Sequence, residues 1–204
     1  AETVDVLPAY REAVAEYARE QTLADSHPAT TGERSTDDAP LDGLSVAVDC
    51  GNGMGSLATP QVLRALGARV VTLNCSVDGF FPGRPSKPTP ETVTDLRAFV
   101  ADGDFALGIA HDGDADRIVV VAPDGSVVHE DTIVAMLAEH YVGSAAVDDP
   151  AVVTTPNASG RIDERVDAAG GRTERVRLGA LHEGIERVRQ GEGTVVFAAE
   201  PWKH

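Results

Sequence analysis

Between Leu44 and His129, short valine-rich runs alternate with helical stretches. This alternation restricts the chain to a layered α/β fold. "LSVAVDC" reads as a strand and "GNGMGS" as a glycine-rich turn. "TPQVLRALG" reads as a helix, with Pro60 near its start and Gly67 as its stop. "RVVTLN" is the next strand. A proline-rich stretch leads to "TPETVTDLRAFVADG", a helix that Thr89 or Thr92 can cap. "FALGIA" is a third strand. "RIVVVAPDGSVVH" is a hairpin around a Pro-Asp-Gly turn, which makes one sheet edge antiparallel. "EDTIVAMLAEHYVG" closes this part as a helix.

A second strand-helix-strand-helix-strand pattern runs from "AVVTT" to "TVVFAAE". The expected fold class is therefore α/β: a mixed sheet layered with helices, as one complete domain plus part of a second, similar domain. The expected divisions are 1–40, a helix and linker ending a preceding domain; 41–147, the complete domain; and 148–204, an incomplete one, so the chain reads as a fragment. In the first segment, Val6, Tyr10, Val14 and Tyr17 are spaced for one apolar helix face. "SHPATTGERSTDDAP" reads as a linker. Asp25, Ser26 and His27 are adjacent there, but neighbours in a linker do not supply catalytic-triad geometry.

The 204-residue chain carries 33 acidic and 17 basic residues, a net charge of −16. Only Lys87 and Lys203 are lysines. An acidic, arginine-containing but lysine-poor surface fits a high-salt cytoplasm, where salt screens self-repulsion. It argues against nucleic acid as a partner, because phosphate backbones need a basic face. No stretch has the length and apolarity of a membrane span, so a cytoplasmic protein with no membrane partner is expected. Cys50 and Cys75 have neither zinc spacing nor a disulfide framework, and read as buried thiols.

The chemistry concentrates in "GIAHDGDADRIVVV", where Asp112, Asp114 and Asp116 alternate at the end of a buried strand. Two carboxylates about 4 Å apart repel by roughly 4 kcal/mol at an effective dielectric near 20. Three in one tight loop splay into water, take up protons, or hold a cation. Oxygen ligands favour Mg²⁺, Mn²⁺ or Ca²⁺. An EF-hand loop opening at Asp112 needs glycine sixth and glutamate twelfth, where Arg117 and Pro123 stand. A haloacid-dehalogenase-type phosphatase needs threonine or valine where Asp116 stands. Gly51, Gly53 and Gly55 either cradle a phosphate or form a plain strand-to-helix turn. His111, beside the loop, is an acid–base candidate or a structural residue.

Asp112-Gly113-Asp114-Ala115-Asp116-Arg117 resembles the Asp-Gly-Asp-Gly-Asp-Arg metal loop of the α-D-phosphohexomutase superfamily, the phosphomannomutases and phosphoglucomutases. The departure is Ala115, which a left-handed backbone would strain. "VAVDCGNGMGS" resembles the opening of that family's second domain, and "FPGRPSKPTPETVTDL" its proline-rich segment. "FAAEPWKH" is similar to its Glu-x-x-x-His sugar loop, with Ala199 in place of a glycine. The resemblance covers 41–204. It implies that Asp112, Asp114 and Asp116 coordinate Mg²⁺ and that Arg117 acts catalytically beside the phosphoryl group. It also implies that Glu200, His204 and Lys203, with Trp202 nearby, bind the sugar of a hexose phosphate such as mannose or glucose 1- or 6-phosphate.

The implied reaction interconverts hexose 1- and 6-phosphates through a phosphoserine and a bisphosphate intermediate. The phosphoserine segment has no counterpart in this chain, so the chain alone is expected to be inactive. The alternatives are an aspartate-loop phosphatase and a non-catalytic metal-binding module. Neither needs "EPWKH". The sequence carries no signal of oligomeric state.

Overall fold

The computed structural model describes residues 4–24 and 39–201. Asp25, Ser26, His27 and most of the linker lie outside the described residues, as do Trp202, Lys203 and His204. The chain divides into two compact units, 1–127 and 128–204.

In the first unit, β1 (Ser45–Asp49) lies between β2 (Arg69–Leu73) and β3 (Leu107–His111), parallel to both. β4 (Ile118–Val121) runs antiparallel to β3, and β5 (Val127–Val128) ends the order β2-β1-β3-β4-β5. The expected antiparallel edge is present. β1 is valine-rich because both its faces are buried. Ala47 packs with Leu96 and Val100 of α3 (Thr94–Asp102). Val46 and Val48 pack on the opposite face with Leu63 of α2 (Thr59–Ala65).

Two helices depart from the pattern expected of them. α1 (Leu7–Ala24) forms, but Val6, Tyr10, Val14 and Tyr17 are exposed. The helix instead packs on Val62 and Leu66 through Ala15, whose small side chain permits close approach. α3 begins at Thr94, with no side-chain cap. The Thr92 hydroxyl is engaged upstream, accepting from the Thr89 amide (2.7 Å) and donating to the Lys87 carbonyl (3.0 Å).

In the second unit, β6 (Pro150–Thr154) lies between β7 (Arg172–Arg175) and β8 (Thr194–Ala198), all parallel. Val152 faces a core shared by α4 (Glu130–Ser144) and α5 (Arg161–Ala168). Ala151 and Val153 face Leu181, Ile185 and Val188 of α6 (Leu181–Gln190). α4 therefore packs within the second unit. Among the described residues no helix is long and apolar enough to cross a membrane.

Candidate functional site

The acidic loop leaves the C-terminal end of β3. Its polypeptide is held from beneath by the turn after β1. The Met54 amide donates to the Gly113 carbonyl (2.9 Å), and a Cβ on Gly53 would sit 2.5 Å from that same oxygen. Gly53 is thus required by close approach of two backbones. The three preceding amides of the turn are also consumed within the protein. Gly51 donates to Asp49 Oδ1 (2.9 Å), Asn52 to the Asn74 carbonyl and Gly53 to the Cys50 carbonyl. Of the two roles open to the glycines, the structure supports the turn that buttresses the acidic loop.

Behind this turn lies a buried ion pair that sequence reasoning missed. Arg84 Nε donates to Asp49 Oδ2 at 2.6 Å, with both side chains nearly inaccessible. Arg84 Nη2 donates to the His111 carbonyl at 2.6 Å, one residue before Asp112. Asp49 Oδ1 also accepts from Asn74 Nδ2 (3.0 Å). One guanidinium thereby ties the ends of β1 and β3 to the proline-rich segment. The available signals were an aspartate ending an apolar run and an arginine within "FPGRP", 35 residues apart.

Asp112, Asp114 and Asp116 each bring a carboxylate oxygen within 4.8 Å of the others. Asp112 is buried and the other two are exposed. Arg117 closes the loop over Asp112: its amide donates to Oδ1 (3.1 Å) and its Nε to Oδ2 (2.6 Å). Burial works to raise the Asp112 pKa, but the bonds from Arg117 outweigh it and hold the carboxyl below its usual range. Asp116 shifts the other way. A hydrogen bond shared with Asp112, lost hydration and the charges of Asp112 and Asp114 push its carboxyl up. A hard divalent cation among these oxygens would remove that repulsion, so the donor set fits Mg²⁺ or Mn²⁺. Arg117 also lies 3.4 Å from Asp116 Oδ1, and its side chain is 41 % exposed. It is held as a salt-bridge partner while remaining accessible to an anion.

Ala115 sits at φ +64°. The left-handed backbone costs a non-glycine residue roughly 1–2 kcal/mol, partly offset by the entropy a glycine would lose. Ala115→Gly is therefore expected to stabilise the chain by about 0.5–1 kcal/mol in urea denaturation. An unchanged midpoint would mean that the loop relaxes around the alanine.

His111 is buried, with Nε2 3.0 Å from Thr59 Oγ1 and no partner for Nδ1 among the described residues. Burial lowers its pKa, so the native imidazole stays neutral. Both His111 and Asp112 then bind protons more weakly when folded than when unfolded. Stability should fall as pH drops below about 6.5, where unfolded histidine protonates, and again as pH falls through the depressed native value of Asp112. Denaturation at a series of pH values in chelator checks this. His111→Asn should flatten the upper part of the decline and leave the lower part.

In the second unit, Glu200 follows β8 and is 3 % exposed. Oε2 accepts from the Gly179 amide (2.8 Å), while Oε1 is buried without a partner among the described residues. The preceding residue, Ala199, is buried; its amide donates to the Val153 carbonyl and its carbonyl accepts from Thr154 Oγ1 (2.9 Å). Its φ is not positive, so the alanine found where a glycine is usual fits without strain. Glu200 is a fixed acceptor with one oxygen left for an incoming donor.

Comparison with known proteins sets these features in a family. Residues 28–125 match the family described as phosphoglucomutase/phosphomannomutase, alpha/beta/alpha domain II. The chain is 44 % identical over 160 residues to a phosphopentomutase of Thermococcus kodakarensis, covering 78 % of this chain and 34 % of that protein. These matches support a place in the α-D-phosphohexomutase superfamily. A probable phosphoglucosamine mutase of Methanopyrus kandleri is 40 % identical over 177 residues, 84 % of this chain and 38 % of that one. The chain thus spans about a third of the length of the curated relatives it matches. A solved phosphoglucomutase/phosphomannomutase family protein of Burkholderia thailandensis superposes with a TM-score of 0.70 at 26 % identity, covering 94 % of this chain and 38 % of that one.

Proposed function

We propose that this chain supplies the metal loop and part of the sugar site of a Mg²⁺-dependent phosphomutase, which moves phosphate between the anomeric and terminal positions of a sugar. The observation that carries the reading is the convergence of Asp112, Asp114 and Asp116 beside the accessible guanidinium of Arg117. Mg²⁺ held by the three carboxylates would neutralise charge on a phosphoryl group in transfer. Arg117 pairs with that group's oxygens through its planar fork. Glu200 accepts from a sugar hydroxyl through Oε1, and Lys203 and His204 complete the sugar contacts. The phosphoserine belongs to a part of the protein outside this chain. The setting is a salt-rich cytoplasm, consistent with the lysine-poor, acidic composition.

The test is a mutase assay in concentrated potassium chloride with Mg²⁺ and a sugar bisphosphate activator. It compares this chain with a longer native protein on the 1-phosphates of mannose, glucose, glucosamine and a pentose. The hexoses are the substrates expected from the sequence. The pentose and glucosamine are included because the relatives' names point to them. Turnover is expected from the longer protein only, and is lost in chelator and on Arg117→Met. Release of free phosphate without transfer would replace the mutase reading with the phosphatase one.

A further inference from the structure

Cys50 and Cys75 play no part in the chemistry above, and their separation in sequence gave no reason to pair them. The fold brings them together. Cys50 follows β1 and Cys75 follows β2 by two residues, and the Cys50 amide donates to the Leu73 carbonyl (3.0 Å), holding the two strand ends in register. Cys50 Sγ lies 3.4 Å from Cys75 Sγ, and both are free thiols. Cys50 is fully buried and Cys75 only half so, which gives one sulfur that a small oxidant can reach and one that it cannot.

We propose that Cys50 and Cys75 form a reversible dithiol/disulfide couple, oxidised by low-molecular-weight disulfides. The Cys75 thiolate attacks the small disulfide, forming a mixed disulfide and releasing one small thiolate. Cys50 then loses its proton to solvent and displaces the second small thiolate from Cys75, closing the Cys50–Cys75 bond. The two protons given up by the cysteines end on the two small thiols. The pair gives up two electrons, and one small disulfide becomes two small thiols. Burial pushes the Cys50 thiol up to about 12, so the second step is the slow one.

The couple has a route to the acidic loop. Asp49 precedes Cys50 and Asn74 precedes Cys75, and these two neighbours are joined by the 3.0 Å bond from Asn74 Nδ2 to Asp49 Oδ1. Asp49 holds Arg84, and Arg84 holds the carbonyl before Asp112. A disulfide requires the sulfurs to close from 3.4 Å to about 2.05 Å, and the two ends of that bond are the cysteines' immediate chain neighbours. Weakened divalent binding in the oxidised chain rests on the metal reading above; the thiol chemistry does not.

The experiment treats the reduced chain with oxidised glutathione and follows free thiols and intact mass. These two cysteines are the only ones in the sequence. Loss of both thiols is expected, with the mass of the chain less two hydrogens. Cys50→Ser should stop at a glutathione adduct on Cys75, and Cys75→Ser should keep its thiol. Retention of both thiols, or a lasting adduct on the unaltered chain, would overturn the proposal. Mn²⁺ titration of the two redox forms reads the coupling. Severalfold weaker binding after oxidation is expected, and equal binding would overturn the coupling. A reduced chain that binds no Mn²⁺ would instead sink the metal reading, while the mass measurement still decides the thiol chemistry.

Discussion

Replacing Arg84 by methionine should cost about 3–5 kcal/mol of folding stability, because it strips the partner from a buried carboxylate. A buried ion pair is weak evidence of net stabilisation, since desolvating both charges opposes their attraction. Removing one partner is different. Methionine keeps most of the volume of the arginine stem, so little cavity forms. The loss then falls on the polar groups. Asp49 Oδ2 loses its 2.6 Å donor, and the carbonyls of Asp49 and His111 lose theirs. Asp49 Oδ1 keeps its bonds from Gly51 and Asn74, so the carboxylate stays in place and uncompensated. Arg84→Met/Asp49→Asn should recover a large part of the loss, because a neutral amide costs less to bury than an unpaired charge. Urea denaturation in concentrated potassium chloride measures both variants. A single-variant loss under about 1 kcal/mol would mean that water reaches Asp49 and that the pair behaves as a surface bridge.

The same cluster marks the limit of what was legible in the sequence. β1 was readable because a strand buried on both faces becomes a valine-rich run, and β2 and β3 because short apolar runs stand between helical stretches. The hairpin was readable because Pro-Asp-Gly suits its turn: Gly125 adopts φ +78° and the Ala122 amide donates to the Ser126 carbonyl (2.8 Å). The acidic loop was readable because three carboxylates at alternate positions stand between two apolar runs, which sets them at the end of a strand. The strain at Ala115 followed from the loop's resemblance to a glycine-containing one, and the positive φ bears it out. The Arg84–Asp49 pair was not readable, because no local periodicity reports a contact between residues 35 apart. Nor was the thiol contact, which depends on the register of β1 against β2. For α1, spacing favoured the large side chains, whereas packing against α2 used Ala15. Glu200 was named for its resemblance to a sugar loop. Its buried, half-satisfied carboxylate is a property that only the fold could add.

Asp114→Asn and Asp116→Asn should have opposite effects with and without a divalent cation. In chelator the loop holds three carboxylates within 4.8 Å of one another, and Arg117 pairs with the buried Asp112 while lying 3.4 Å from Asp116. Removing an exposed charge relieves repulsion, in keeping with the raised pKa of Asp116. Both variants should therefore melt at or slightly above the temperature of the unaltered chain. With Mn²⁺ or Mg²⁺ the comparison reverses. A cation that binds only the folded chain stabilises it by about 2.7 kcal/mol at a hundredfold excess over Kd. Loss of one of three carboxylate ligands should weaken binding by roughly a hundredfold or more, the upper range for even an outer-shell partner, and so remove most of that gain. Asp112→Asn serves as the contrast. It removes a charged ligand and also one of the two oxygens that accept from Arg117, so it should lower stability in chelator as well. Thermal melts of the four proteins, each with and without cation, separate a metal centre from a solvated acidic turn. A solvated turn would give the small gains in chelator and no cation-dependent difference. A metal centre requires the order of stabilities to invert.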